Sequence, residues 1–385
     1  MGTVRLQQDR LKWAGRAAVA AWGAFDIQLV IYASLLAGMG LLMAYTNSYE
    51  AGVSPLASGS TFARGLVWAG VAIIAFLLAA SFDYRWLKTF AWPLYFVNIG
   101  LLALSLAIGT GVGDTARWVT IAGMQFQFSE LAKVLMAVVL ANWISSREAQ
   151  ISGLFTILGA AALIVPPVVL VAMQPDLGTS LVFAAMLVGT LFVSGASLRW
   201  LAVGTGAIIA AIPFTWTYVL RDYQKQRLIS FLDPTADPQG SGYHVIQSLI
   251  AVGSGGLFGK GLTNGTQNQL DFLPVQSTDF VFSILAEELG FIGAIVVFVL
   301  FAALLWRVML VAWRSDDAFG LAFASAIASM LLFQVLVNVG MTIGIMPVTG
   351  IPLPFITYGG ASLISTALGL GVLESINLRQ VRPKW

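Results

Sequence analysis

The sequence predicts an all-α polytopic membrane protein of about ten transmembrane helices, with a large extracytoplasmic loop between the seventh and the eighth. Three observations carry that prediction. Of the 385 residues, 58% are hydrophobic and only 10% are charged, whereas a soluble domain carries roughly 25% charged residues. Ten apolar segments are each long enough to cross roughly 30 Å of hydrocarbon. Finally, the unusual polar residues gather in four of the connections, and these four fall on one side of the membrane.

Residues 1–26 are basic and amphipathic, and no apolar stretch with a small-residue cleavage site follows, so they read as a cytoplasmic N-terminus. The spans lie at 27–47, 63–82, 90–110, 129–146, 153–173, 177–197, 201–220, 279–305, 319–343 and 360–378. Residues 27–378 thus form a single membrane domain, and 379–385 a cytoplasmic tail. Only Gln174-Pro175-Asp176 separates the fifth span from the sixth, which makes a tight hairpin. With both termini cytoplasmic, inner segments hold 13 of the 20 Lys and Arg residues, the bias that orients membrane proteins.

Gly111–Phe128, Gln174–Asp176, the loop from Arg221 to Thr278, and Gly344–Gly359 are then extracytoplasmic. The longest, 221–278, is too short and too Gly-rich to be an independent domain. Its mildly apolar stretch Leu249–Phe258 points to re-entrant or interfacial pieces, whose non-helical backbone must be buried in protein or line a wet cavity. No internal repeat or low-complexity segment is present.

Cysteine is absent, which excludes disulfides, thiolate metal sites and a Cys nucleophile. The one histidine, His244, excludes a multi-His metal centre and the usual repeated use of a Ser-His-Asp triad.

The chain is organised around Gly255–Gly293. A polar, Gly/Asn/Gln-rich segment containing Lys260 gives way at Ser277-Thr278-Asp279 to an apolar run, placing the Asp279 carboxylate where a loop enters a membrane helix. Such a triplet is also what an ordinary N-cap looks like, but capping does not account for the dense polar segment before it. Glu287 and Glu288 follow about 12 Å deeper at 1.5 Å per residue. Helical spacing puts Glu287 within about 80° of the Asp279 face and Glu288 on the opposite side.

Other candidates lie in the remaining outer segments. Arg117-Trp118 reads either as an aromatic-belt anchor or as a ligand for diphosphate, whose oxygens a guanidinium binds bidentately. Glu130 and Lys133, three apart, share a helix face and can pair. They are a self-neutralising structural pair or, as ionisable groups within a membrane often do, they mark function. Asp176 either caps the sixth span or joins the site. Met346–Gly360, which contains Tyr358, holds three prolines and three glycines, so it is a shaped irregular connection. A carboxylate crowded among such groups can have its pKa raised enough to act as a general base.

These residues carry a family resemblance. RLISFLDP (Arg227–Pro234), QSLIAVGSGGLFGKGLTNGTQNQLDFLP (Gln247–Pro274), TDFVFSILAEELGF (Thr278–Phe291) and PVTGIPLPFITYGGAS (Pro347–Ser362) resemble the signature blocks of the SEDS family, which comprises the RodA, FtsW and SpoVE proteins. ARWV, SELAK and QPDLGTS match as well. The blocks occur in order from the first span to the last, and GTQNQLDFLP and PLPFITYGG are closer to the RodA branch. Gln276-Ser277 and Ala361 depart from residues common among relatives.

The resemblance implies a ten-helix peptidoglycan glycosyltransferase of cell-wall elongation. It would polymerise lipid II at the outer face of the bacterial cytoplasmic membrane, beside a class B penicillin-binding protein. Asp279 matches the family's essential Asp, Glu130 and Lys133 its fourth-helix Glu and Lys, and Asp176 its QPDLG aspartate. Asp279 is then the expected general base. Arg117, Trp118, Glu130, Lys133, Asp176, Lys260, Glu287 and Tyr358 are the expected substrate-binding residues. No cofactor is implied outright, although Mg or Mn suits diphosphate chemistry, and no nucleic acid is expected.

Two other readings compete. A flippase or transporter for a lipid-linked precursor would suit ten helices with Gly/Pro breaks, but such proteins place their sites near the midplane between inverted repeats. A catalytically silent scaffold would not need Glu130, Lys133 and Asp279 at one face. For the partner's helix, the small-residue stripes Gly320–Ser329 and Ala361–Gly371 are the expected docking faces.

Overall fold

The structure, a computed structural model, describes residues 25–50, 54–57, 59–109, 117–121, 124–236, 242–266 and 279–379. Most of the expected N-terminus (1–24), most of the tail (380–385) and the polar run 267–278 lie outside the described residues. The elements are α1 (Ile27–Glu50), α2 (Thr61–Ser81), α3 (Tyr84–Thr89), α4 (Ala91–Ile108), a hairpin of β1 (Val119–Ile121) and β2 (Met124–Phe126), α5 (Phe128–Ser145), α6 (Leu154–Met173), α7 (Leu177–Val193), α8 (Leu198–Phe214), α9 (Asp222–Leu232), α10 (Tyr243–Ser254), α11 (Val281–Arg314), α12 (Ala318–Thr342) and α13 (Gly360–Arg379).

Among the described residues, nine helices are long and apolar enough to cross a membrane, and the 17-residue α7 supplies a tenth apolar segment. Each expected span is therefore found. The largest difference in length is at α11, which continues to Arg314. Arg307 does not end it, because its guanidinium is neutralised by Asp26 at 2.6 Å. The hairpin, with Val119 opposite Phe126, lies inside the expected outer connection Gly111–Phe128.

Helix ends follow local chemistry. Ser60 accepts from the Ala63 amide and starts α2. Asp317 does the same for α12 through the Gly320 amide at 3.0 Å, satisfying donors that a helix start leaves open.

α12 and α13 run through the core, whereas α8 has no buried residue. Glycines set the closest approaches. A Cβ on Gly371 would lie 2.5 Å from the Phe76 carbonyl oxygen, so α13 and α2 meet backbone to backbone. The first and last described helices also meet, the Asp26 amide donating to Glu374 Oε1 at 3.0 Å. At its other end α1 reaches the start of α11, where Thr46 donates to Glu288.

The small-residue stripes are not lipid-facing docking surfaces. Ala324 is fully buried and Ala328 nearly so. A Cβ on Gly369 would contact Ile327 and Val134. Small side chains permit close packing whether the neighbour belongs to a partner or to the same chain; here it is the same chain.

α11 is broken at Gly290, whose φ of 67° and ψ of −166° lie outside the helical region and suit only glycine. The turn after α10 docks into the break. Lys260 and Gly261 amides donate to the Glu287 and Glu288 carbonyls, both at 3.0 Å. Phe291 and Ile292 amides donate to the Gly256 and Leu257 carbonyls at 2.9 and 3.1 Å. The loop thus replaces the backbone partners that the interruption removes. Glycine is required for the approach, since a Cβ on Gly259 would sit 2.1 Å from the Glu288 carbonyl oxygen.

Candidate active site

A cavity of about 190 Å³ opens where six separate parts of the chain converge, α9 among them through Arg227. The segment before β1 contributes Arg117 and Trp118, α5 contributes Glu130, and the α6–α7 hairpin contributes Asp176. Asp279 comes from the start of α11, and Thr357 and Tyr358 from the last loop. Six of the nine sequence-predicted site residues therefore line one cavity.

The walls are held from behind. Arg117 Nε donates to the Gln174 carbonyl at 3.0 Å, and Nη2 donates to the Pro175 carbonyl. Two of its five N–H groups thus anchor it, which leaves others for an anion. Asp176 performs the bland role as well: it caps α7 through the Thr179 amide at 3.1 Å. It also accepts from Thr179 Oγ1 and from Gln127 Nε2.

Glu130 and Lys133 pair at 2.7 Å with their side chains 4% and 2% exposed. Lys133 stands behind Glu130 and does not line the cavity. The pair matches the sequence reading, and its carboxylate is the member that faces the site.

Asp279 is half-buried. A Cβ on Gly350 would come within 3.4 Å of its Oδ2, so the glycine lets the last loop lie against the carboxylate. That glycine has a φ of 74°, the left-handed region. Burial pushes the Tyr358 hydroxyl above the usual tyrosine value, and the neighbouring Arg64 partly offsets this.

Lys260 and Glu287 are brought together elsewhere. Lys260 Nζ lies 2.6 Å from Glu287 Oε1, which also accepts from the Thr266 amide and hydroxyl. Their pairing closes the loop over the α11 break, and neither lines the cavity. Among the described residues no group of three or more carboxylates or imidazoles is placed to hold a metal ion.

Three neighbours were not singled out from the sequence. Arg227, on α9, lines the cavity, and the signal available was its place at the head of RLISFLDP. Arg64, in the first turn of α2, lies near the Tyr358 hydroxyl and acts on it through its charge. Fully buried Asn338, on α12, holds the Asp279 main chain. A lone Asn in a long apolar run was its signal.

Comparison with known proteins places the chain in a family. A family model described as "Cell cycle protein", for FtsW, RodA and SpoVE, matches residues 27–381. Peptidoglycan glycosyltransferase MrdB of Escherichia coli K12 is 41% identical over 305 residues, covering 79% of this chain and 82% of that protein. Among solved structures, a chain from a peptidoglycan synthase complex that coordinates polymerisation and crosslinking has a TM-score of 0.77 at 33% identity, covering 93% of this chain and 99% of that one. Thermus thermophilus rod shape determining protein RodA has a TM-score of 0.70 at 30% identity, covering 94% and 99%. With ten apolar helices, the signature blocks in place and a family model spanning nearly its whole length, the chain belongs to the FtsW/RodA/SpoVE family, the SEDS proteins.

Proposed function

We propose that this protein is a peptidoglycan glycosyltransferase that polymerises lipid II, with Asp279 as general base. The carrying observation is a half-buried carboxylate at a helix start, set in one cavity with Arg117 and Arg227. Asp279 takes the proton from the 4-hydroxyl of the acceptor N-acetylglucosamine. That oxygen attacks C1 of the donor N-acetylmuramic acid, the C1–phosphate oxygen bond breaks, and undecaprenyl diphosphate leaves. The leaving group is already activated, so the protein mainly supplies position and charge.

Arg117 and Arg227 balance the departing diphosphate, and Trp118 offers an apolar face to a sugar. Glu130, held by Lys133, and Asp176 accept substrate hydroxyls, and Tyr358 donates to an oxygen. Lys260 and Glu287 support this site by fixing the turn after α10 against α11.

We assign the cavity to the outer membrane face, with both termini cytoplasmic, residues 27–378 as one membrane domain and 221–278 as the large outer loop. Lys/Arg bias supports this orientation. The likeness to a chain of a synthase complex supports a partner synthase, and a class B penicillin-binding protein fits that role.

Purified protein incubated with lipid II in detergent tests the reading. Glycan ladders on a gel are the expected result. Unchanged substrate, with movement of lipid II across vesicles, would instead establish the flippase.

A further inference from the structure

A second cavity, of about 320 Å³, lies between α1 and α2 and is closed at the back by α13. That volume lies within the roughly 300–1,000 Å³ typical of small-ligand sites. Its walls carry no charged side chain. It extends from Phe25 to Leu41, about 24 Å of helix at 1.5 Å per residue, so it follows most of the hydrocarbon thickness. Ala33, Ala37 and Gly38 keep the α1 wall low, and a Cβ on Gly38 would meet nothing within 4 Å.

The groove adjoins the polar cavity through a small neck that shares wall residues with each. Ala37, Leu41, Phe355 and Leu363 are shared with a neck of about 30 Å³. Thr357, Tyr358 and Gly359 line both that neck and the polar site. At the neck, Tyr358 meets Trp68 and the exposed guanidinium of Arg64. An apolar channel, then a cation, then a polar cavity is the order of parts in a lipid-diphosphate-sugar molecule read from its tail. A neck this small excludes a helix, which measures about 10 Å across, whereas a single extended hydrocarbon chain is far thinner.

We propose that the α1–α2 groove holds the polyprenyl tail of a diphosphate-linked glycan substrate, with Arg64 at the neck facing its diphosphate. The assignment rests on the glycosyltransferase reading for its choice of occupant. Apolar walls bind the tail without sequence-specific contacts, and Arg64 fixes how far it slides in.

The test uses the full chain and a polyprenyl diphosphate with a photoreactive group near the end of its tail. Labelling should fall on peptides of α1 and α2. It should be suppressed by Gly38→Phe and persist in Gly100→Phe, a change of equal bulk on α4 where a Cβ also meets nothing. Excess phosphatidylglycerol should not displace the probe. In the polymerisation assay, Gly38→Phe should raise KM for full-length-tail lipid II about tenfold, the effect of losing two buried methylenes, and leave KM for a short-tail analogue unchanged.

Labelling on other helices overturns the proposal. So does equal displacement by phosphatidylglycerol, which would make this a general lipid site, or an equal KM rise for both tails, which would make the groove merely structural. Labelling on α1 and α2 without glycan ladders from the wild-type protein would refute the polymerase reading and leave the groove standing.

Discussion

The side-chain amide of Asn338 donates to the main-chain carbonyls of both Asp279 and Ile351, at 3.2 and 2.8 Å. One buried residue of α12 thereby ties the start of α11 to the last loop, and these are the two segments between which the Asp279 carboxylate sits. Asn338→Leu keeps the volume and removes both donors, at about 1–3 kcal/mol for each carbonyl left without a partner. Polymerisation should drop at least about tenfold, beyond what the fall in melting temperature explains, since about 1 Å of misplacement at a reacting centre can cost about 10²-fold. Lower stability with full activity would show that Asn338 only supports the fold.

Asp279→Asn keeps shape and hydrogen bonding and removes the base. Lipid II polymerisation should fall about 10²–10⁴-fold, the usual contribution of a general base, at unchanged expression and membrane insertion. Near-normal glycan ladders would remove the catalytic assignment.

For Glu130 and Lys133, the single substitution should be worse than the double. Lys133→Ala strands a buried carboxylate, at about 3–5 kcal/mol, while Glu130→Gln with Lys133→Met removes both charges. Thermal unfolding in detergent separates the two. A double variant as damaged as the single would give Lys133 a role of its own at the diphosphate.

Gly259 holds a φ of 77°, and its missing Cβ leaves room for the Glu288 carbonyl. Gly259→Ala adds about 1–2 kcal/mol of backbone strain as well as a direct overlap. The loop should detach from the α11 break, exposing Lys260 and its neighbours to protease under conditions where the parent is protected. Gly70→Ala, where a Cβ meets nothing within 4 Å, should cleave like the parent.

Burial, followed by the Arg227 charge, holds His244 below the ordinary imidazole value of 6.5. The folded protein therefore keeps it neutral while the unfolded chain takes up a proton more readily. Its contribution is complete above about pH 6.5 and is lost as pH falls toward the folded value. Melting temperatures measured from about pH 8 to about pH 5.5 should decline at the acid end. His244→Gln should flatten that decline, and an unchanged slope would place the acid sensitivity elsewhere.

Hydropathy made the helices legible, because a bilayer imposes the same length and composition on each span. Spacing made the Glu130–Lys133 pair legible, and the Gln174-Pro175-Asp176 hairpin announced itself through its proline. Convergence of Arg117, Asp176, Asp279 and Tyr358 on one cavity was implied only by family resemblance, since no local pattern links segments so far apart. Glu287 and Lys260 show the limit of placing residues by helical angle: they pair through a loop that folds back. Gly290 was invisible for a related reason, because ELGF reads as ordinary apolar helix until the docking loop is known. The stripes around Ala324 and Gly369 misled because close packing selects small residues in the core as well as at an interface.

The interruption at Gly290 also divides α11 into two parts that are held in place by different means. The 24 residues from Phe291 to Arg314 already exceed the ~20 that a membrane-crossing helix needs, so insertion machinery meets a complete stop-transfer segment there. Val281–Leu289, with its two glutamates, is surplus to insertion and too short to cross alone. It joins the bundle only when Gly255–Gly261 takes up its carbonyls and Lys260 and Thr46 meet its carboxylates. Hydropathy alone therefore places Phe291–Arg314 in the bilayer, whereas the segment leading to Asp279 is placed by docking.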